Sequence, residues 1–186
     1  MSIEQYSVLL STSVMLLATA VVLSSLGYFY FDSVKAKLLG FTYFTYLKII
    51  ACIATLATLG ALTYQFAFDV PVCSLCWAQR IFMFPLEIII IVTLFYKSRI
   101  NHVVTGTLAV IGLFFSSYHY YTHVQKYVLK TAETLPVPCT TSTFTESCLH
   151  SPILTFGFIT IPFMALVAFV AIIWLSFLAS KRIGND

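Results

Sequence analysis

The stretch ILTFGFITIPFMALVAFVAIIWLSFLA, residues 153–179, decides the fold class, because it contains no Asp, Glu, Lys or Arg. Crossing the hydrocarbon core of a bilayer takes roughly 20 residues of helix. Four other apolar stretches, near residues 7–31, 44–68, 77–96 and 102–123, are long enough to do the same. The first of them also lacks charge. Of 186 residues, 60% are apolar and 9% charged, and the mean hydropathy is +0.95. A water-soluble domain devotes about a quarter of its residues to charge, so lipid is the solvent for most of this chain. A closed β-barrel is the other spanning solution, but it needs short alternating strands that this sequence lacks. The expected fold is all-α: a polytopic membrane protein with a four-helix transmembrane bundle and one extra N-terminal transmembrane helix.

Orientation follows from where Lys and Arg fall. Lys35 and Lys37 follow the first span, Lys97 and Arg99 lie between the third and fourth, and Lys181 and Arg182 are in the tail after the fifth. Five spans put these clusters on one side, which should be the cytoplasm. The N-terminus with Glu4, the segment from Asp69 to Cys76, and residues 124–152 then lie outside. Lys126 and Lys130 run against this assignment, though Glu133 and Glu146 accompany them. Met1 to Tyr6 carry no positive charge and the first apolar run exceeds a signal-peptide core, so a retained helix is expected. Val124, Tyr127 and Val128 have the spacing of a short interfacial helix, ended by Pro136 and Pro138 before Cys139. The net charge of +3 contains no Lys/Arg run suited to nucleic acid.

Four of the five cysteines sit in the outer connecting segments. Cys73 and Cys76 form a C-x-x-C at the mouth of the second and third spans. Two thiols so spaced at a helix start close and reopen a disulfide readily, and the helix dipole favours a thiolate there. Arg80 follows Cys76 by four residues, shares its face, and adds a fixed positive charge. Cys139 and Cys148 form the second pair. Two dithiols on one membrane face can exchange through a mixed disulfide, which suggests a relay from a soluble partner to something in lipid. A single structural zinc is the alternative, but the second pair is spaced too widely for the usual zinc ligand gap. Inert structural disulfides are another, although C-x-x-C is a strained choice for a staple. Cys52, in mid-span, reads as small-residue packing.

The string Pro71-Val72-Cys73-Ser74-Leu75-Cys76-Trp77-Ala78-Gln79-Arg80 resembles the C-x-L-C-W-x-Q-R motif of the disulfide bond formation protein B family (DsbB and its Gram-positive counterpart BdbC). The resemblance covers about residues 44–180, so residues 1–43 are expected to be an added helix and cytoplasmic loop, and 44–186 a four-helix redox domain. It implies a disulfide-generating thiol:quinone oxidoreductase in a bacterial cytoplasmic membrane. Such an enzyme reoxidises a DsbA-like thioredoxin-fold thiol oxidase outside the membrane. The electrons go to the quinone pool, ubiquinone or menaquinone. Carried over by position, Cys139 takes the mixed disulfide with the partner, Cys148 connects to Cys73, Cys76 faces the quinone, and Arg80 polarises a quinone oxygen. No metal is implied.

Charge arguments bear on the last role independently. Quinone reduction places negative charge on ring oxygens, which a fixed cation stabilises in a low dielectric. An arginine just inside a span is a functional candidate by default, with snorkelling to the headgroups as the bland reading. His119 is similar in placement to a family histidine linked to the quinone site, and His123, one turn on, is a rival for that match. Either can deliver a proton to reduced quinone, since imidazole titrates in the working range, with a hydrogen-bonded interfacial histidine as the bland reading. Glu87, seven residues after Arg80, is a weaker candidate that can relay protons or pair with Lys48, while Pro85 marks a kink. Two departures stand out: the first span is extra to the family's four, and the second cysteine pair is close-set. A vitamin K epoxide reductase-like enzyme is the nearest alternative, but there the loop pair precedes the C-x-x-C. A scaffold stapled by two disulfides and a transporter are further alternatives, the latter lacking a broken-helix repeat.

Overall fold

The structure, a computed structural model, describes residues 2–96, 102–127 and 155–182. Six helices account for nearly all of them: α1 (Ile3–Tyr30), α2 (Asp32–Leu38), α3 (Tyr43–Phe66), α4 (Ser74–Tyr96), α5 (His102–Tyr127) and α6 (Ile161–Ser180). All except α2 are long and apolar enough to cross a membrane. The protein is therefore an all-α, multi-pass membrane protein, as the hydropathy of the chain requires.

The helix ends follow local chemistry. Ser2 and Gln5 form a reciprocal capping box at the start of α1. Thr42 caps α3 by accepting from the Thr45 amide. The segment after the first span was expected to be a loop but contains α2. Asp32 lies in its first turn and Lys35 and Lys37 in its last, a charge order that complements the helix dipole. The expected interfacial helix beginning at Val124 is instead the continuous end of α5, as far as the described residues run.

The fifth span also begins later than hydropathy suggests. Residues 155–160 form a tight turn in which Thr155 and Ile159 exchange two backbone hydrogen bonds of 3.0 Å. Phe156 and Gly157 have positive φ there, a conformation that a helix excludes and glycine tolerates. Pro162 then occupies the first turn of α6, where its missing N–H costs nothing.

Burial is uneven along the bundle. Half of the α6 span is buried against 11% of the α1 span, so α6 is the central helix and α1 the peripheral one. The tightest packing, with Tyr43, Ile50, Leu86, Ile90, Phe169 and Ile172 fully covered, lies mostly towards the end opposite the cysteines. Large apolar side chains such as Leu16, Phe95 and Ile88 face outward, as a lipid-facing surface requires. Pro85 lies inside α4.

Candidate active site at the start of α4

The chain reaches the site by a sharp turn. After α3 ends at Phe66, the Val70 amide donates back to Tyr64 O (3.0 Å), and Asp69 adopts φ 51°, a left-handed conformation that Asp tolerates better than most residues. Val70, Pro71 and Val72 then lead straight to Cys73.

Cys73 is the N-cap of α4. Its carbonyl accepts the first helical bond, from the Trp77 amide (3.0 Å), and its Sγ accepts from the Cys76 amide (3.2 Å). Sulfur thus takes the place that a Ser or Asp oxygen fills at an ordinary N-cap, at the positive end of the helix dipole. Cys76 stands in the first turn, as the sequence led us to expect. The two Sγ atoms are 3.1 Å apart.

The two sulfurs have different surroundings. Cys73 is 1% exposed and its Sγ lies 3.6 Å from His119 Nε2 on α5. The other imidazole nitrogen, Nδ1, is 3.0 Å from the Gln79 amide nitrogen, and the His123 ring packs edge-on 4.9 Å away. Cys76 is half-buried and lines a cavity of about 540 Å³, within the size range of ligand pockets, roughly 300–1,000 Å³. Gln65, Gln79 and Arg80 stand with Cys76 in the cavity lining, and nearly all the rest of it is apolar.

Arg80 is 8% exposed and does not snorkel. Its guanidinium donates to Gln65 Oε1 and to Ala61 O (3.1 Å) on α3, and packs over the Trp77 ring at 5.4 Å. It is also close enough to both sulfurs to interact with them electrostatically. The geometry therefore assembles Cys73, Cys76, Arg80 and His119, but it divides them: Cys76 and Arg80 line the cavity, whereas His119 backs onto Cys73 and is not one of the cavity walls. Cys139 and Cys148 lie outside the described residues.

Two site residues were not singled out by the sequence reading. Gln79 was quoted within the motif without a role; Gln65 had only its polarity within an apolar span to mark it. Glu87 pairs with neither Lys48 nor Arg80, because its carboxylate accepts from Thr55 (2.9 Å) and Thr58 (2.7 Å) on α3. Cys73, Cys76 and His119 each offer a donor atom within 4.8 Å of the others. In type these suit zinc, but a closed structural zinc site takes four ligands, and three are found among the described residues.

A C-x-x-C at a helix start, with one cysteine buried against a histidine and the other lining a mostly apolar cavity with an arginine, is an arrangement that suits a membrane dithiol oxidoreductase. The family "Disulfide bond formation protein DsbB" matches residues 43–179, and the chain belongs to that family. It is 34% identical over 100 residues to the SPbeta prophage-derived disulfide bond formation protein B of Bacillus subtilis, covering 54% of this chain and 62% of that relative. It is 37% identical over 113 residues to a probable disulfide formation protein C of Halalkalibacterium halodurans, covering 59% and 74%. It is also 37% identical over 128 residues to a probable disulfide formation protein of Oceanobacillus iheyensis, covering 68% and 82%. No solved structure matches the chain. The role in disulfide formation follows from the family.

Proposed function

We propose that this protein is a thiol:quinone oxidoreductase of a bacterial cytoplasmic membrane that reoxidises a DsbA-like thioredoxin-fold thiol oxidase. The observation that carries the reading is the division of the dithiol. Cys76 lines a mostly apolar cavity together with Arg80, whereas Cys73, whose Sγ is 3.1 Å from that of Cys76, is not among the cavity walls and has its Sγ 3.6 Å from His119 Nε2.

The residues present fit a quinone. The lining is mostly apolar, with its amides and its one guanidinium gathered near Cys76 at Gln65, Gln79 and Arg80 and hydroxyl-bearing residues at Tyr6, Ser13, Thr58 and Tyr64, which suits a molecule with polar ring oxygens and a hydrocarbon body. A quinone, whether ubiquinone or menaquinone, accepts the two electrons and two protons released when the Cys73–Cys76 dithiol closes to a disulfide. Arg80, fixed by Gln65 and Ala61, supplies an oriented positive charge where negative charge develops. The Gln79 amide carries both a donor and an acceptor, so it can pair with Nδ1 in either tautomer of His119. His119 can therefore give or take a proton at Nε2, next to Cys73 Sγ.

On this reading Cys139 forms the mixed disulfide with the partner, and Cys148 passes the oxidising equivalent from Cys73. Each exchange is attack of a thiolate on a disulfide sulfur, with the displaced thiolate leaving. The N-terminus and the cysteine segments are outside the membrane and the C-terminus inside, in keeping with the Lys and Arg clusters. Residues 1–43 are an addition to a redox domain of residues 44–186.

The test is anaerobic mixing of the purified protein with a quinone and a reduced thioredoxin-fold dithiol, following quinone absorbance. Quinone loss that stops in Cys76→Ser is expected. No loss with several quinones, while the cysteines remain oxidised, would favour the stapled scaffold. Stoichiometric zinc in the purified protein would favour a metal on Cys73, Cys76 and His119.

A further inference from the structure

The first helix lies N-terminal to the matched family segment, yet it contributes a wall of the cavity. It touches the rest of the bundle strongly near its two ends. At the thiol end, the Tyr64 hydroxyl is 3.1 Å from Ser7 Oγ, and the Tyr6 ring packs edge-on against Tyr64 at 5.1 Å and against Phe68 at 5.4 Å. At the other end, Trp174 Nε1 donates to Ser24 Oγ (3.0 Å), and the Tyr28 ring packs on Trp174 at 5.6 Å.

Between these anchors the helix keeps partial contact, with Ser11 buried and Leu10 close to Gly60 of α3, and beside these contacts lies the cavity. Tyr6, Leu10, Ser13, Val14 and Leu17 line the cavity, and steps of three and four residues put them on one helical face. Small residues face them across the space: Ala57, Gly60 and Ala61 on α3, and Ala165 and Ala168 on α6. In a bundle whose helices associate by close packing, small side chains on facing helices ordinarily bring them together. Here they leave room. From Tyr6 to Leu17 the wall runs about 17 Å along the helix. A quinone ring held at Cys76 and Arg80 would leave most of that length to a hydrocarbon chain.

We infer that α1 is the tail-binding wall of the quinone site, and that its Tyr6–Leu10–Ser13/Val14–Leu17 face selects quinones by their isoprenoid chain. This rests on the thiol:quinone reading. The helix walls what would otherwise be a lipid-facing groove, and pinning at both ends holds it in place beside the cavity. The occupant is a quinone tail rather than a lipid acyl chain, because the same cavity has Cys76 and Arg80 in its lining.

The test uses the full-length protein with Ser13→Phe, which puts bulk into the cavity, and Leu16→Phe as a control on the lipid-facing side, where Leu16 is 74% exposed. Two readouts are taken: apparent KM for a short-chain and a long-chain quinone, and quinone extracted from the purified protein. For Ser13→Phe we expect a KM for the long-chain quinone raised roughly tenfold, the scale of overfilling a packed site. The short-chain KM should be nearly unchanged and the extracted quinone reduced, with Leu16→Phe like wild type. Equal effects on both quinones, no effect, or extracted phospholipid in place of quinone would overturn the tail-wall assignment. If Ser13→Phe does not fold, Leu17→Ala takes its place; it removes wall contact and should likewise weaken the long-chain quinone alone. A wild-type protein that neither turns over nor retains any quinone would instead remove the quinone reading itself.

Discussion

Gly112 is where packing and site meet. It lies on α5 against Phe169 of α6, and a Cβ placed there would stand 2.3 Å from both Cε1 and Cζ of the ring and 2.9 Å from Cδ1. Carbon atoms in ordinary contact are about 3.5–4.0 Å apart, so Gly112→Ala requires the ring to retreat by more than about 1 Å. Phe169 has no exposed surface, yet it is among the residues that line the cavity. If the ring stays and the helices part, the cost is that of overpacking, about 1–3 kcal/mol of stability. If the ring swings into the cavity, stability is largely kept and volume is lost from the proposed quinone site. The same energy then weakens quinone binding, by roughly 5- to 150-fold.

Unfolding of detergent-solubilised protein and the apparent KM for quinone together separate the two limits. We expect the larger share in KM, because moving a ring into a void is easier than separating two packed helices. Phe169→Leu in the Gly112→Ala background should recover part of the loss, giving a coupling energy of the size found between contacting residues, about 0.5–3 kcal/mol. Wild-type stability together with wild-type KM, or a Phe169→Leu effect identical in both backgrounds, would refute the reasoning.

Arg80→Gln should raise the quinone KM at least roughly tenfold, since it removes the fixed charge proposed to bond a quinone oxygen, a charge-assisted hydrogen bond worth about 1.5–3 kcal/mol. Thiol exchange with the partner, measured without quinone, should be largely retained. His119→Ala should slow closure of the Cys73–Cys76 disulfide in single-turnover mixing by about 10²-fold, the lower range for loss of a general acid–base group. Its quinone KM should stay near wild type, because His119 is not a cavity wall. Glu87→Gln offers one acceptor oxygen where Thr55 and Thr58 now meet two, so thermal unfolding should reveal a loss of about 1 kcal/mol. Trp174→Phe removes the hydrogen bond to Ser24 and should loosen α1, seen as faster proteolysis near the α1–α2 junction with a change of under about 1.5 kcal/mol in overall stability.

The five spans were legible in the sequence because lipid leaves the chain so few choices: long uncharged runs must be helices. Their ends were less legible. Hydropathy does not register that Gly157 permits a turn or that Pro162 starts a helix, so the last span was read as starting too early. The seven residues of α2 are too few to display a period. At the site, Cys73, Cys76 and Arg80 could be found because they are neighbours on one helix start. The contact of His119 with Cys73 joins residues 46 apart, and periodicity carries no information about which helices meet. Gln65 was hidden for the same reason, as its partner Arg80 lies on the next helix. The cavity needs α1, α3, α4 and α6 together, so it cannot be read from any single segment.

The C-x-x-C at a helix start does more than bring two sulfurs together. Cys73, as N-cap, lies outside the helical backbone and turns its sulfur toward α5, where Gln79 and His119 make a polar, water-poor setting. Cys76, three residues on, is already in the first turn and shares a face with Arg80. One dithiol therefore looks onto two media, and a disulfide between its sulfurs is the shortest link between them. An exchange step that handles protons requires the histidine side; an acceptor soluble only in lipid requires the apolar side. Packing is arranged accordingly: the large side chains fill much of the far end of the bundle, where Tyr43, Ile50, Leu86 and Ile172 are fully covered. The cavity takes its space beside α1, the span with least buried in the bundle. On the proposed function, stability and reactivity are kept at opposite ends of the same helices, so a cavity can persist at the reacting end without the bundle collapsing onto it.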